Sequence, residues 1–353
     1  MKFGTKVIHA GIEPDLVTGA IMTPIYQTST YVQESPGKHK GFEYSRTQNP
    51  TRQVLENNLA ALENGKYGLC FGSGLAAINT ILQTLNPGDE VIIPAPFWVS
   101  YPDIVMLAEG KPIIVKCDAS QDFKITPEQL ENNITNKTKW LMLNSPSNPT
   151  GAVYSFNELK ALSEVLLKYP NVLVLTDDIY EKIIYDDGVF STIASVEPKM
   201  KERTLTLNGV SKAYCMTGWR LGYCGGPREI IAGMNKMQSQ STTSTSSISM
   251  AASVEALSGD QEFINLHNNQ FKKRRDMVVE NLNQIDGINC SIPPGAFYVY
   301  PSCEGIIGKK TSAGNTINTD KDFMNFLLES EGVAGVHGEA FGLSPYFRLS
   351  YAT

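Results

Sequence analysis

The chain has 353 residues and a net charge of -6 at pH 7; 42% of its residues are hydrophobic and 19% are charged. This length can hold a large domain and a smaller one, and the negative charge argues against nucleic acid or an anionic membrane as a partner. No apolar run reaches membrane-spanning length, and the N-terminus lacks the apolar core of a secretory signal. The six cysteines are scattered and the four histidines form no pair at helical spacing. This pattern is typical of a cytoplasmic protein and predicts no metal site.

Residues 1–50 contain many turn formers and predict an arm that lies on another surface. The segment FEYSRTQNPTR places Tyr44, Arg46 and Arg52 close together in sequence. These residues either belong to a polar loop or form a clamp for a phosphate. Apolar residues at helical spacing then predict a helix from Thr51 to Glu63.

The stretch GLCFGSGLAAINTIL predicts a short strand, a turn at Gly72-Ser73-Gly74 and an Ala-rich helix. Backbone N–H groups at such a turn can bind a phosphate, although a plain tight turn gives the same pattern. Next, NPGDEVIIP predicts a buried strand, and Trp98 follows its C-terminal end. Ligands of open α/β sheets bind at that edge. Trp98 could therefore stack on a flat cofactor ring, or it could belong to the core.

Two further predicted strands end in polar side chains. KWLMLNSPSNPTG runs into a loop where Pro149 holds Asn148, and NVLVLTDDIYE is a continuous apolar strand that ends at Asp177-Asp178. A carboxylate there could pair with a protonated pyridine nitrogen, or it could cap a helix. Because strand alternates with helix from about residue 68 to 225, we predict an α/β fold with a mostly parallel, helix-covered sheet.

The stretch NGVSKAYCMTGWRLGY places Lys212 among small and weakly polar residues, with Arg220 eight positions later. A lysine with a lowered pKa is a good nucleophile toward an aldehyde such as that of pyridoxal phosphate (PLP). The Arg220 guanidinium would bind the phosphate in a two-pronged way. The same pattern also fits a solvated lysine and a surface arginine.

The last third of the chain predicts helices at Ile248–Leu257, Phe263–Leu282 and Asp322–Glu331. The second of these carries four consecutive basic residues, 272–275, for which a solvated helix face is expected. GAFYVYP and YFRLSYAT predict strands, and Arg348 in the latter alternates with apolar neighbours. An inward-facing arginine requires an anion.

Six motifs in this order, NPGDEVIIPAPFWVSYP, NSPSNPTGAVY, TDDIYE, NGVSKAYCMTGWRLGY, GAFY and FRLSYAT, resemble the PLP-dependent aminotransferases of fold type I. The resemblance is closest to bacterial aspartate aminotransferase-like enzymes and runs from about residue 80 to the end. It implies a mostly parallel, seven-stranded-type sheet covered by helices. It also implies an arm (1–50), a large PLP-binding domain (51–242) and a smaller α+β domain (243–353). Those enzymes carry a helix after the SYAT strand, so the small domain is expected to lack a terminal helix.

The same resemblance assigns the site residues. The implied catalytic residues are Lys212, Asp177 and Tyr180. The implied cofactor-binding residues are Ser73, Gly74, Leu75, Trp98, Asn148, Asp177, Tyr180, Ser211, Lys212, Arg220, Tyr44 and Arg46. The implied substrate-binding residues are Arg348, Asn148 and Trp98.

The implied roles follow from the chemistry of PLP. Lys212 would form the Schiff base and move the proton, and Asp177 would pair with the pyridine nitrogen. Asn148 and Tyr180 would bond the ring hydroxyl, and Trp98 would stack on the ring. The phosphate would be held by Arg220, Ser73 and the backbone of Gly74 and Leu75, and the α-carboxylate of the amino acid by Arg348.

The first 80 residues instead resemble the cystathionine synthase and lyase group, through IHAGIEPDLVTGAIMTPIYQTSTY, FEYSRTQNPTR and GSGLAAI. In that group the residues matching Tyr44 and Arg46 reach the phosphate of the neighbouring subunit. This implies a homodimer with shared active sites.

Three functions stay open. The first is transfer of the amino group of an L-amino acid, expected to be aspartate, to a 2-oxo acid, expected to be 2-oxoglutarate. The second is a PLP-dependent lyase or synthase of the cystathionine type, and the third is an inactive PLP-fold binding protein. Related aspartate enzymes have a lysine where this chain has Leu75, so a second substrate carboxylate would lack that cation.

Overall fold

The structure, a computed structural model, describes residues 13–15, 18–35, 37–312 and 314–352. The start of the predicted arm and the final residue Thr353 therefore lie outside the described residues. The strands are β1 (Gln33–Ser35), β2 (Lys38–His39), β3 (Gly68–Phe71), β4 (Glu90–Ala95), β5 (Lys111–Lys116), β6 (Thr138–Asn144), β7 (Leu173–Asp177), β8 (Thr204–Gly209), β9 (Gly222–Gly225), β10 (Tyr298–Val299), β11 (Val336–His337) and β12 (Phe347–Ser350). The α-helices are α1 (Pro50–Leu62), α2 (Gly74–Leu82), α3 (Ser100–Leu107), α4 (Pro127–Asn133), α5 (Phe156–Leu167), α6 (Ile193–Val196), α7 (Arg228–Gln240), α8 (Ser247–Ser258), α9 (Glu262–Leu282) and α10 (Asp320–Glu331).

The chain forms two compact units. The first consists of Met1–Leu85 and Pro198–Gln261, and the second of Asn86–Glu197 and Glu262–Thr353. This grouping differs from the arm, large domain and small domain expected from the resemblance, and that organisation stays a prediction.

The second unit contains four parallel strands in the order β7-β6-β4-β5. β4 and β6 are buried over most of their length, which explains their continuous apolar sequences. Asn144 at the end of β6 lies opposite Asp177 at the end of β7. The carboxyl ends of these strands therefore gather the side chains that follow them at one edge. A separate antiparallel sheet in this unit has the order β10-β12-β11.

The first unit contains three antiparallel strands in the order β3-β9-β8. The sequence analysis did not predict β9 as a separate strand, because GYCG is short and half glycine. α2 begins three residues after β3 and forms the expected strand–turn–helix unit. The described part of the arm contains the antiparallel pair β1–β2.

The α/β class predicted from the sequence is confirmed. Seven central strands alternate with helices, three of them in the first unit and four in the second. Observed helices α1, α8, α9 and α10 match the predicted ones within one or two residues at each end. No helix in the described part of the chain is long and apolar enough to cross a bilayer.

The expectation of a solvated basic face on α9 is wrong for Arg275, which is 2% exposed. Its guanidinium binds Asp186 at 2.6 Å and Asp276 at 2.7 Å, and it lies 4.9 Å from the ring centre of Tyr185. Arg275 is one helical turn before the buried Val279, so it lies on the inward face of the helix.

Arg52 also departs from the sequence-based interpretation, because it does not form a phosphate clamp. It is 3% exposed on α1, and its Nε donates to Glu56 at 2.7 Å. Its Nη2 donates to Asn235 at 3.1 Å and to Gln238 at 2.8 Å on α7. Gln238 in turn donates to the carbonyl of Cys70 on β3 at 2.7 Å. Arg52 is thus a buried structural connection between α1, α7 and β3.

We expect Arg52→Met to lower the free energy of unfolding by about 2–4 kcal/mol, because the carboxylate of Glu56 loses its cation and keeps only the N–H of Cys70 as a donor among the described residues, and Gln238 Oε1 loses the Arg52 donor. Chemical denaturation of the full-length protein would measure the change. Arg228→Met is the matched control, since Arg228 is exposed at the start of α7 and should change stability by about 0.5 kcal/mol or less. A loss below about 1 kcal/mol for Arg52→Met would contradict the structural role.

Candidate active site

The predicted site residues fall into two sets, one in each unit. The first unit carries Tyr44, Arg46, Ser73, Gly74, Leu75, Ser211, Lys212 and Arg220. The second carries Trp98, Asn148, Asp177, Tyr180 and Arg348. Each set is described within its own unit.

The turn before α2 has the features of an anion-binding helix N-terminus. Ser73 is the N-cap, and its Oγ accepts from the N–H of Ala76 at 3.0 Å. The first turn of α2 contains no acidic residue that would repel an anion. The first N–H groups of a helix have no acceptor within the helix, and the helix dipole favours negative charge there. Gly74 and Leu75 provide two of these N–H groups.

A close backbone contact fixes this turn against β9. A Cβ atom on Gly222 would lie 2.3 Å from the Gly74 nitrogen and 2.6 Å from the Ser73 carbonyl carbon. Only glycine permits this approach. Because Gly222 is two residues after Arg220, the contact brings the backbone that carries Arg220 beside the turn.

Arg220 and Lys212 lie in the loop between β8 and β9. Arg220 is exposed and has left-handed backbone angles, φ 52° and ψ 63°. Its carbonyl accepts from Thr245 Oγ1 at 3.0 Å, and its Nη1 donates to the carbonyl of Thr217 at 2.9 Å. Ser211 and Lys212 are partly buried in the turn that follows β8. The carbonyl of Lys212 accepts from the N–H of Cys215 at 3.2 Å.

Tyr44 and Arg46 are exposed at the surface of the first unit. Tyr44 is 42% exposed, and the Arg46 guanidinium lies 5.5 Å from its ring centre. Both residues line a groove together with the polar stretch Thr243–Ile248. This exposure leaves both side chains accessible to a neighbouring molecule.

In the second unit, Asp177 is a buried carboxylate with a specific donor. It is 8% exposed, and its Oδ2 accepts from the Tyr101 hydroxyl at 2.7 Å. Its carbonyl accepts from Asn144 Nδ2 at 2.8 Å. The Tyr101 ring packs edge-on against Trp98, with ring centres 5.4 Å apart. Trp98, Tyr101 and Asp177 therefore form one connected group.

Tyr101 was missed by the sequence analysis, which quoted its motif but selected only Trp98. Its spacing of three residues from Trp98 at the start of α3 was the available signal. Burial, and then the charge of Asp177, raises the pKa of Tyr101 well above its usual range. The hydroxyl consequently stays protonated and remains a donor to Asp177.

Arg348 is held by an amide and two aromatic rings. Its Nη1 donates to Asn148 Oδ1 at 2.8 Å, and its guanidinium lies 4.7 Å from the ring centre of Tyr298 and 5.1 Å from that of Phe341. Its Nε is buried without a hydrogen-bond partner among the described residues. No carboxylate of the described residues forms an ion pair with Arg348. The guanidinium can thus accept an external anion.

Tyr180 is connected to Arg348 through Tyr298. The hydroxyls of Tyr180 and Tyr298 are 2.8 Å apart, and Tyr180 is 2% exposed. Burial, followed by the contact with Tyr298, raises the pKa of Tyr180 well above its usual range. Tyr298 was not selected from the sequence, although it is the last residue of the GAFY motif.

The two sets fit the chemical groups of PLP. A phosphate fits the turn before α2, because the N-terminus of this helix favours an anion and the close contact of Gly222 holds the backbone that carries Arg220 beside the turn. A pyridine nitrogen fits Asp177, whose carboxylate is buried at the end of β7. A substrate carboxylate fits Arg348, which is charged and has no acidic partner among the described residues.

The family model described as aminotransferase class I and II matches residues 30–353. An aspartate aminotransferase of Rhizobium meliloti is 54% identical over 298 residues, which cover 84% of this chain and 72% of that protein. An aspartate/prephenate aminotransferase of Cereibacter sphaeroides is 56% identical over 275 residues, which cover 78% of this chain and 69% of that protein.

Solved structures give the same result. The crystal structure of the Rhizobium meliloti aspartate aminotransferase superposes with a TM-score of 0.79 at 54% identity, covering 81% of this chain and 72% of that one. The Thermus thermophilus aspartate aminotransferase with maleate superposes with a TM-score of 0.73 at 37% identity, covering 81% and 72%.

We expect Tyr101→Phe to lower the free energy of unfolding by about 1.5–3 kcal/mol, because Asp177 loses a hydrogen bond to its charged carboxylate. Since the folded-state pKa of Tyr101 lies above its unfolded value, its contribution is complete below pH 10 and is lost above it. The stability difference between wild type and variant should therefore stay constant from about pH 6 to 9 and shrink above about pH 10. Denaturation curves at several pH values would measure it.

Tyr154→Phe provides the control, since Tyr154 is also buried but its hydroxyl accepts from the N–H of Ile125 at 2.9 Å. It should cost less than Tyr101→Phe, because no charged group loses a partner. If both variants lose the same free energy of unfolding, the hydrogen bond to the Asp177 carboxylate contributes no more than the hydrogen bond of Tyr154.

Proposed function

The chain belongs to the class I and II aminotransferases, and from that premise we propose that it transfers the amino group of L-aspartate to 2-oxoglutarate. It is a PLP-dependent aminotransferase of fold type I that acts on amino acids and 2-oxo acids. The resemblance seen in the sequence is confirmed, and the family model also covers residues 30–80, which resembled the cystathionine group. Relatives named as aminotransferases at more than 50% identity do not favour the lyase or the inactive binding protein.

In the first unit, we assign the phosphate of PLP to the turn before α2 and to Arg220. The N-terminal dipole of α2 and the N–H groups of Gly74 and Leu75 support this assignment. Ser73 and Ser211 are the neighbouring hydroxyls. Lys212 is the residue that would hold the aldehyde group of the cofactor, through its Nζ.

In the second unit, the ring of PLP is assigned to Asp177, Trp98, Asn148 and Tyr180. Asp177 would keep the pyridine nitrogen protonated, and the hydrogen bond from Tyr101 orients the Asp177 carboxylate. Trp98 supplies a stacking face. Asn148 uses Oδ1 for Arg348, which leaves its Nδ2 to donate to the ring hydroxyl together with Tyr180.

Arg348 is the observation that carries the substrate assignment. A guanidinium fixed by Asn148 and by the Tyr298 and Phe341 rings is oriented before the substrate arrives. It binds the α-carboxylate of the amino acid through parallel N–H groups. This positions the Cα–H bond for proton removal.

The chemistry is divided between cofactor and protein. When bound, PLP withdraws electrons from the Cα–H bond of the amino acid. Lys212 Nζ accepts the Cα proton as a general base and delivers it as a general acid. Arg348 meanwhile keeps the carboxylate fixed, so that the amino acid does not rotate away from the base.

The choice of a dicarboxylic donor rests on the relatives. Relatives that are more than 50% identical are named aspartate or aspartate/prephenate aminotransferases. The Thermus thermophilus structure contains maleate, which is a dicarboxylate. The side chain of Leu75 is 45% exposed but apolar, so it offers no charge to a second carboxylate. We propose aspartate as the donor even though this chain has Leu75 where related aspartate enzymes have a lysine. Prephenate is the competing acceptor, because some relatives are named aspartate/prephenate aminotransferases.

We also propose a homodimer in which Tyr44 and Arg46 contact the phosphate bound by the partner. Their exposure in the first unit and the groove that they share with Thr243–Ile248 support this proposal. A cytoplasmic location is proposed from the six cysteines, all of which are unpaired.

The full-length protein with PLP should release oxaloacetate from L-aspartate when 2-oxoglutarate is supplied, and Lys212→Ala should lower kcat by on the order of 10⁴-fold because the proton acceptor is lost. A coupled assay with malate dehydrogenase would follow oxaloacetate. Lys236→Ala is the control, since Lys236 is an exposed lysine on α7 and should leave kcat unchanged.

The substrate panel separates the alternatives. If kcat/KM is higher for prephenate than for 2-oxoglutarate, prephenate is the amino-group acceptor and the proposed acceptor is wrong. Release of pyruvate and ammonia from cystathionine, without oxaloacetate from aspartate, would restore the lyase hypothesis.

Mixing two inactive variants tests whether the active site is shared. In a heterodimer of Lys212→Ala and Arg46→Ala chains, one site combines an intact Lys212 with an intact Arg46 from the other subunit. Random pairing should restore about a quarter of wild-type activity, because half of the dimers are mixed and each contains one intact site.

Each variant incubated alone in the same way gives the baseline. If Arg46 serves the phosphate of its own chain, mixing restores nothing above the sum of the two variants. Sedimentation of the active protein as a monomer would also reject the shared site.

A further inference from the structure

Three metal-ligating side chains meet in the second unit, outside the residues assigned to PLP and substrate. Asp320 is the first residue of α10, His337 ends β11, and Glu339 lies in the short 3-10 helix Gly338–Phe341. One nitrogen of His337 and one oxygen of each carboxylate lie within 4.8 Å of one another.

Asp320 is a buried carboxylate that lacks a cation. It is 2% exposed, and its Oδ2 accepts from the N–H of Glu339 at 3.2 Å. No lysine, arginine or histidine of the described residues forms an ion pair with it. A buried charge with one long hydrogen bond is costly unless a counter-ion is present.

The cap of α10 does not explain Asp320. Thr319 and Asp322 form a capping box, in which Thr319 Oγ1 accepts from the N–H of Asp322 at 3.1 Å and the Asp322 carboxylate accepts from the N–H of Thr319 at 3.0 Å. The side chain of Asp320 instead faces Glu339 and His337. The dipole of α10 is a weak opposing charge for this carboxylate.

His337 supplies an independent sign of a missing partner. Its Nδ1 is buried and has no hydrogen-bond partner among the described residues. No hydrogen bond links the His337 ring to either carboxylate in that part of the chain, although their atoms approach within 4.8 Å. Buried polar atoms without a partner are rare and require an explanation.

We propose that Asp320, His337 and Glu339 bind a divalent transition-metal ion such as Zn²⁺ or Mn²⁺. One imidazole and two carboxylates form a ligand set that these ions accept, and the ion neutralises both acids. Around an ion with bonds of about 2.0–2.2 Å the ligand atoms must move closer together. The exposed Glu339 side chain can make this movement. Three protein ligands leave the remaining positions to water.

The ion would connect α10 to the strand pair that carries Arg348. His337 pairs with Phe347, and Val336 pairs with Arg348, between β11 and β12. Sequence spacing did not reveal this set, because Asp320 is seventeen residues before His337. The proposal does not depend on the assigned substrates.

Zn²⁺ titration of the full-length, PLP-loaded and metal-stripped protein by isothermal calorimetry tests the proposal. Wild type should bind one equivalent that Glu339→Gln and His337→Ala weaken. Loss of an outer partner already costs 10–100-fold in metal affinity, so loss of a ligand should weaken binding by about 100-fold or more. Zn²⁺ binding by PLP or by cysteines should contribute equally in every variant, so the differences between variants report the proposed site.

His267→Ala is the matched control, because His267 is exposed on α9 in the same unit and should leave the equivalent unchanged. Glu339 is exposed and glutamine has the same shape, so Glu339→Gln is expected to fold. This variant tests the proposal even if His337→Ala fails to fold. Anomalous diffraction at the zinc edge should place a peak between the three side chains. A peak elsewhere, or an equivalent that survives both ligand variants, would overturn the proposal.

Discussion

The buried carboxylate of Asp177 sets the conditions for the second unit. A carboxylate with 8% exposure at the end of a parallel strand is stable only if donors surround it, and the Tyr101 hydroxyl from α3 is one of these donors, together with the N–H of Ile179. Asn144, at the end of the neighbouring strand, supports the carbonyl of the same residue. The connections after β4, β6 and β7 must therefore end at one edge of the sheet, and Trp98 reaches its position because it precedes Tyr101 on the same segment. The position of Trp98 and the orientation of the carboxylate that is proposed to pair with the pyridine nitrogen are thus linked through one interaction.

The first unit offers backbone groups, rather than buried side chains, to its proposed ligand. Its anion is proposed to be a phosphate, and the groups offered to it are mostly backbone N–H donors at the start of α2, with Arg220 as the added charge. Backbone donors are already fixed by the helix, so they lose little freedom on binding. Arg348 in the second unit is a side chain, and it needs Asn148 and two aromatic rings to reach the same degree of order. On the proposed assignment, the chain binds the phosphate of the cofactor with backbone groups of a helix and the substrate carboxylate with a packed side chain.

The sequence predicted those features that depend on neighbouring residues. Continuous apolar runs indicated the parallel strands. Asp177 was selected because it ends such a run, and Lys212 because it stands among small and weakly polar residues with Arg220 eight positions later. Tyr101 and Tyr298 were missed because their partners are 76 and 118 residues away, and no local pattern reports a contact at that distance. Arg275 was misjudged for the same reason: four basic residues in a row look solvated until Asp186, from another segment, is brought against one of them.

The contact between Gly222 and Gly74 restricts how this protein can change over time. Any residue with a Cβ at position 222 would collide with the backbone that precedes α2, so a substitution there damages the strand and the anion turn together. Leu75, by contrast, contributes an N–H to the turn while its side chain is 45% exposed. Position 75 therefore tolerates substitution, by evolution or by design, although it lies beside a backbone contact with Gly222 that does not. Position 75 can carry leucine or lysine without disturbing the backbone that is proposed to hold the phosphate.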